Sequence, residues 1–454
     1  MFRVTTVGIF LVVAVFLCGC STGRMNAARP VAIEPGRPVV DGSTVSRRGA
    51  MRPQQDPRGN ISVDQAIALA LAANPGLAAA SLAVQAAEAN LLQQGLLPNP
   101  ELEAEIEEFG GTGEFKSFDV AEYTVIVGQE IPLGGARGKR SRIAALGRDL
   151  VAWEHERIRR EVIADARIAF IDVLATQKDL ALVAQLVALA EELRATVQKR
   201  VTAGAAANVE QLKAAVELSA IRNQRKRADR TLETAREKLA ITWGSSSARF
   251  ARATGNLEQI SPPPKRQQVV GGLSANPDLA CLPAAIDQRN AELELERARR
   301  FASLQVAGGW KWVSETEDQS FIASVALPLP IFDRNQGGIR RAAFELERTR
   351  QEAKAKRVAT VTAFARAYRD LVSSHREALS LKRELLPIAR ESFDATTRAF
   401  RDGRLPYIDV LDAQRTLFEA HREYGLALVR YHKAVVDVER MAGHLSGTPI
   451  QKSD

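Results

Sequence analysis

From Ile143 the chain runs for roughly sixty residues without a proline, with apolar side chains at Leu146, Leu150, Trp153, Ile158, Val162, Ala166, Phe170, Val173, Leu180, Val183, Val187, Ala190, Val197 and Val201. The steps are mostly three and four, the spacing of one stripe along a helix. At about 1.5 Å per residue such a helix is on the order of 90 Å long, several times the length of an ordinary globular helix. Its stripe therefore demands partners along its whole length. A glycine at Gly204 breaks the run, and a second helix returns to Gly244, which makes a long hairpin.

The chain then says nearly the same thing again, with a period of roughly two hundred residues. Ala73-Asn74-Pro75-Gly76-Leu77 recurs as Ala275-Asn276-Pro277-Asp278-Leu279, and Ile131-Pro132-Leu133-Gly134-Gly135 has its counterpart in Leu327-Pro328-Leu329-Pro330-Ile331. The breaks at Gly204 and Gly244 return at Gly403 and Gly443, and the second return helix carries Tyr424, Leu428, Tyr431, Val435 and Val438. A duplication of this size points to a two-fold-repeated architecture. Composition agrees: aromatics are only 6% of 454 residues while Ala, Leu, Arg and Glu dominate, closer to long helices than to a compact globule. The formal net charge of +8 is modest, with Lys and Arg interleaved among Asp and Glu. Even the densest basic cluster, Arg222, Arg225, Lys226, Arg227 and Arg230, reads better as a solvated helix face than as a nucleic-acid surface.

The N-terminus reads as an export signal over residues 1–19: Arg3, an apolar run from Val4 to Leu17, then Leu17-Cys18-Gly19-Cys20. The run is shorter than the roughly twenty residues of a spanning helix. Leu at minus three and Gly at minus one resemble the lipobox of bacterial lipoproteins, which implies acylation of Cys20; an ordinary signal cleaved nearby is the other reading. Ser21 in place of Asp after Cys20 fits, by that resemblance, sorting to an outer membrane. Cys281 would then be a lone thiol, expected as a small buried apolar residue. Residues 20–60 read as a lipidated, flexible tether, 61–244 as the first repeat, 245–272 as a surface linker, 273–445 as the second repeat and 446–454 as a tail. Order is expected from Ile61-Ser62-Val63-Asp64, a helix-start signature.

Each repeat has room for two strands ahead of its long helix. In the second copy Leu304, Val306, Gly308, Trp310 and Trp312 alternate to one side, and Phe321, Ala323, Val325 and Leu327 follow a polar turn at Glu315 to Ser320. The first copy offers Leu102, Ala104 and Ile106, a glycine turn at 110–113, then Tyr123, Val125 and Val127. About ten residues suffice for a tilted strand to cross a bilayer. Trp310, Trp312, Phe321 and Tyr123 are then interfacial aromatics, or else core aromatics of a soluble hairpin. Four strands cannot close a membrane barrel and open edges cannot face lipid, so spanning strands require an oligomer of eight or twelve strands.

The duplicated strand, strand, long-hairpin order over about residues 60–445 resembles the TolC-like outer membrane efflux family, in particular its heavy-metal-resistance lipoprotein branch. Two tip motifs carry the resemblance: Gly204-Ala205-Ala206-Ala207-Asn208-Val209-Glu210-Gln211-Leu212, and the more specific Gly403-Arg404-Leu405-Pro406-Tyr407-Ile408-Asp409-Val410-Leu411-Asp412-Ala413. The resemblance implies a mainly α fold with a small membrane β part, a homotrimer with a twelve-stranded β-barrel in outer membrane lipid and a periplasmic α-helical barrel below it. It also implies partnership with a periplasmic adaptor and an inner-membrane resistance-nodulation-division transporter, contacted through Gly204, Ala205, Asn208, Val209, Gly403, Arg404, Leu405 and Ile408. Asp409 and Asp412, three apart and so on one helix face, match the family's periplasmic gate; read without the family, acids in a first turn simply favour the positive helix end. Glu210 and Lys213 stand at the equivalent places of the first copy, which nominates the second hairpin as the one lining the axis. The family's Tyr and Arg latch is replaced, with Phe400 in the tyrosine place, Leu405 in the arginine place and Arg404 one residue early.

No catalytic constellation, cofactor motif or metal-ligand spacing emerges. His155, His375, His421, His432 and His444 are expected to be solvated or interfacial, and Gly134-Gly135-Ala136-Arg137-Gly138-Lys139 lacks a phosphate-loop pattern. The expected function is an exit duct of a tripartite efflux system, with heavy-metal cations as the preferred cargo; the alternatives are a duct for drugs or secreted protein, a periplasmic coiled-coil adaptor, or a structural lipoprotein.

Overall fold

A computed structural model describes residues 56–442. The expected signal segment, Cys20, His444 and the tail lie outside the described residues.

The chain opens with strand β1 (Gly59–Ile61), and Ser62 then starts helix α1 (Val63–Ala73). Here the Gln65 amide donates to Ser62 Oγ at 3.3 Å while the Ser62 amide donates to Gln65 Oε1 at 2.9 Å, a reciprocal box that satisfies two free helix donors. Helix α2 (Pro75–Gln94), strands β2 (Glu101–Glu107) and β3 (Glu122–Ile131), and the hairpin α3 (Ala136–Thr202) with α4 (Asn208–Ile241) complete the first copy. After β4 (Phe250–Ala253) and two short helices, α5 (Arg266–Val270) and α6 (Pro277–Ala280), the order resumes. It continues as α7 (Leu282–Ala298), β5 (Leu304–Val313), β6 (Asp318–Ala326), α8 (Gln336–Ser380), a π-helical turn at Leu381–Leu385, α9 (Leu386–Arg401) and α10 (Tyr407–Ala442).

The repeated Ala-Asn-Pro motif has a shared physical role. Asn74 Oδ1 accepts from the Leu77 amide at 2.9 Å while its Nδ2 donates to the Thr242 carbonyl at 2.9 Å. Asn276 does the same for the second copy, accepting from the Asp278 amide at 2.9 Å and donating to the Met441 carbonyl at 2.8 Å. One side chain thus caps the start of a helix and takes up a carbonyl at the end of the return helix, and the proline after it sits where a missing N–H is harmless. The motif locks each hairpin's far end onto the start of its own repeat.

Helix α3 is 67 residues long, about 100 Å at the standard rise. It is the axis of the molecule: α1, α2, α4, α7 and α10 all pack on it. Among the described residues α3 alone is a single helix long and apolar enough to cross a membrane, by length and composition. The residues it buries in packing run along its whole length, from Ala144 and Trp153 through Phe170 and Val173 to Val187 and Val197. The main core lies midway along α3, where Phe170, Ile171, Val173 and Leu174 meet Leu239, Trp243, Tyr424 and Leu428.

Residues 245–272 are more than the expected surface linker. Phe250, Ala253 and Leu257 are buried in that same core, and β4 pairs in parallel with β1. Asp56 accepts from Trp243 Nε1 at 3.2 Å and from Ser245 Oγ at 3.0 Å, so the start of the described chain is tied to the passage between the copies. His432, expected at a solvated or interfacial place, is fully buried, with Nε2 2.8 Å from the Leu257 carbonyl oxygen. The apolar run around it, continued by Val435, Val436 and Val438, draws the ring inward, and the carbonyl satisfies one nitrogen. Cys281 is half-buried rather than enclosed, with its thiol 3.7 Å from the Asp278 carbonyl oxygen.

Candidate functional site

Two regions hold the residues singled out by sequence: a four-stranded sheet at one end of the helices and the paired hairpin tips at the other. The sheet is antiparallel in the order β2-β3-β5-β6, so its central seam joins one copy to the other. Pairing registers the expected apolar positions into rows. Ile106, Tyr123, Trp312 and Gln319 stand side by side, then Ala104, Val125, Trp310 and Phe321, then Leu102, Val127, Gly308 and Ala323. Side chains alternate across a strand, so these rows form one face. Tyr123 and Trp312 stack with ring centroids 5.3 Å apart, and Phe321 is largely exposed. The four nominated aromatics therefore share adjoining rows of one apolar face.

The opposite face is acidic. Glu101, Glu103, Glu105 and Glu107 all lie on it, in strict alternation with the apolar residues of β2. Lys311 of β5 pairs with Glu122 of β3, and Glu105 shares a row with Thr124 and Lys311. Among the described residues, strands β2 and β6 each have a neighbour on one side only.

At the other end the two tips are built alike. Gly204 and Gly403 have φ of 73° and 78°, a left-handed conformation that costs glycine little. The following amides close the helices: Ala205 donates to the Arg200 carbonyl at 2.8 Å, and Arg404 donates to the Ala399 carbonyl at 2.9 Å. Beneath them Leu193, Val197 and Ala214 of the first hairpin pack against Phe393, Phe400, Tyr407, Val410 and Leu411 of the second. Gly204, Ala205, Asn208, Val209, Gly403, Arg404 and Ile408 are exposed at the tips, while Leu405 is half-buried.

Phe400, expected from sequence in the tyrosine place of the family latch, has no hydroxyl and is fully buried. Arg200 stacks over its ring at 4.7 Å and donates Nη1 to its carbonyl at 2.9 Å. Near the tips, ion pairs also join the hairpins, Arg401 with Glu192 at 2.8 Å and Arg415 with Glu217 at 2.6 Å. Arg404 instead pairs locally with Asp402. The sequence reading missed Arg200, Arg401 and Arg415, although the repeat offset could have found them: each partner lies close to two hundred residues away, at neighbouring positions of the two copies.

Asp409 and Asp412 open α10 away from its packed face. Tyr407, Val410, Leu411 and Gln414 are buried, whereas Asp409 is half-buried and Asp412 exposed. Glu210 is likewise half-buried and Lys213 exposed on α4. Among the described residues no group of three His, Cys, Asp or Glu side chains is placed to hold a metal ion.

The profile of the family described as Outer membrane efflux protein matches residues 66–245 and 272–444, both copies of the repeat. The chain belongs to the outer membrane efflux protein family. It is 31% identical over 385 residues to the cobalt-zinc-cadmium resistance protein CzcC of Cupriavidus metallidurans, a match covering 85% of this chain and 90% of that one. The nickel-cobalt-cadmium resistance protein NccC of Alcaligenes xylosoxydans is 21% identical over 318 residues, 69% of this chain and 70% of the relative. In fold it is similar to the solved structure of CusC, described in terms of transmembrane channel formation, with a TM-score of 0.73 at 18% identity over 92% of this chain and 98% of that one. The efflux family is a transport family of the outer membrane, which accounts for a chain whose two nominated regions are surfaces rather than an enclosed pocket.

Proposed function

We propose that three copies of this efflux protein form the outer-membrane exit duct of a tripartite system that exports heavy-metal cations. The observation that carries the reading is the sheet: one apolar face, one acidic face and two edges with a single neighbour each, mounted on helices about 100 Å long. Free edges are not tolerated in lipid, and three such sheets joined edge to edge make a closed ring of twelve strands. The apolar face then meets lipid, with Tyr123, Trp310, Trp312 and Phe321 near its rim, and the glutamates of β2 line the lumen.

The helices continue the duct through the periplasm, where the tip residues Gly204, Ala205, Asn208, Val209, Gly403, Arg404, Leu405 and Ile408 meet an adaptor and, through it, a resistance-nodulation-division pump. Asp409 and Asp412, repeated three times around the axis, form the constriction. Cys20 carries the acyl anchor. Metal cargo is supported by the acidic lumen and by the likeness to a cobalt-zinc-cadmium resistance protein.

Conductance of the purified protein in planar bilayers tests this. A heat-modifiable trimer that conducts, and whose Asp409→Ala/Asp412→Ala variant conducts more and is blocked less by multivalent cations, is the expected result. A monomer without conductance overturns the duct, and an unchanged double variant overturns the constriction.

A further inference from the structure

Over its first half, residues 407–423, helix α10 keeps its acids and its bases apart. Its buried stripe passes through Tyr407, Val410, Leu411 and Gln414. At about 100° per residue, Asp409, Asp412, Glu419 and Glu423 fall together on the opposite side, and Arg415 and Arg422 fall on one flank between the two. Arg415 is three residues beyond Asp412, the spacing at which an acid and a base on a helix pair with each other. It pairs elsewhere. Its Nη2 reaches across to Glu217 Oε2 on α4 at 2.6 Å.

The two partners are unequally fixed. The Glu217 side chain is 14% exposed and the Arg415 side chain 62%, so the acid is held by its surroundings and the arginine, standing in solvent, has room for other rotamers. The hydrogen bond to Glu217 is the first cause of a raised Arg415 pKa, and the field of Asp412 adds to it. Asp412 is thus the acid that competes for the same guanidinium. Were Arg415 to turn along its own helix, one of the two constriction carboxylates in every subunit would be neutralised.

We propose that Glu217 is a positioning residue for cation selectivity: by holding Arg415 on the flank facing α4, it leaves the carboxylate of Asp412 uncompensated toward the axis. The proposal rests on the reading of Asp409 and Asp412 as the constriction. The partition is one of charge placement and not of net charge. Both hairpins take part, since α4 of the first copy supplies the acid that keeps the second copy's acids bare.

Reversal potentials across a potassium chloride gradient, recorded on single channels of the full-length protein, test it through a double-mutant cycle. Glu217→Gln is expected to lower the potassium-to-chloride permeability ratio about two-fold, within the range that exposed ion pairs allow. In the Asp412→Asn background the same substitution is expected to change nothing, because the competing carboxylate is gone. Removing the arginine as well, in Glu217→Gln/Arg415→Gln, is expected to restore the wild-type ratio, and that variant serves also if Glu217→Gln alone does not assemble. A drop of the same size in both backgrounds means that lost charge alone is at work and overturns the proposal. So does a double variant that stays below wild type. If Asp412→Asn by itself leaves the ratio untouched, the constriction reading has failed first and takes this proposal with it.

Discussion

A single ring in the core, His432, ties the pH range of the fold to burial. Desolvation is the first cause that lowers its pKa below the ordinary histidine value; the hydrogen bond to the Leu257 carbonyl opposes this, and Arg167 adds to it. His375 and His421 are lowered as well, again by burial first. The folded state therefore prefers neutral rings, while the unfolded chain takes up protons near pH 6.5. Stability is fully present above about 6.5 and is lost as pH falls below it toward the folded values, at a limiting slope of about 1.4 kcal/mol per unit for a ring as buried as His432. Asp165 and Asp179, raised by burial, act in the other direction at lower pH, so the window to examine is 7.5 to 5.5. Thermal unfolding over that window is expected to show a falling midpoint, with a shallower fall in His432→Gln; equal slopes in both proteins would contradict the assignment. Close by, Arg167 of α3 and Glu439 of α10 form a nearly buried ion pair across the two copies. Neither could be singled out from sequence. Each belongs to a helix with many charges, and only the packing of α10 on α3 shows which two are taken out of water.

At the scale of elements, the two copies differ most in their first long arms. Helix α3 is continuous, whereas its counterpart passes through the π-turn at Leu381–Leu385 before resuming as α9, with Pro387 at the second position. A proline inside a regular helix loses a hydrogen bond and collides with the carbonyl four residues earlier, here that of Arg383, at a cost of about 3 kcal/mol. The wider turn sits where that collision would fall. Replacing Pro387 by Ala is therefore expected to change unfolding stability by less than about 1 kcal/mol, because the backbone already accommodates the ring. A gain near the full proline penalty, measured by denaturant unfolding, would show that the turn does not relieve it. The long arms themselves were legible in the sequence because a stripe at steps of three and four survives over dozens of residues. The strands were legible from alternation, with β5 and β6 separated by a turn only slightly shorter than expected. The π-turn was not, since a stripe that already mixes steps of three and four absorbs one extra residue without a visible break. Also hidden was the inward packing of residues 245–272: their glycines, serines and prolines mark turns but say nothing of where Phe250, Ala253 and Leu257 go. At the tips, sequence nominated the glycines and acids, which follow local rules, and missed the arginine contacts, which join helices two hundred residues apart.

For the whole molecule, the sheet sets the conditions of assembly. Val127 lies in the middle rows of the apolar face, with Leu102 and Gly308 beside it. A lysine there is expected to cost about 2–4 kcal/mol in a bilayer midplane and to deplete the heat-modifiable trimer from outer-membrane fractions. Glu103→Gln, on the other face, is expected to leave trimer recovery unchanged; equal recovery of Val127→Lys would mean that this face does not meet lipid. The seam between β3 and β5 carries a further consequence. One copy of the repeat owns two strands and one hairpin, so a ring of twelve strands made from unfused copies would take six chains of perfect sixfold symmetry, with every hairpin alike. Covalent fusion of two copies through residues 245–272 makes that seam internal to one chain and lowers the symmetry to threefold. Alternate hairpins are then free to drift apart in sequence, one keeping Glu210 and Lys213 while the other gathers Asp409 and Asp412, without any subunit ceasing to be identical to its neighbours.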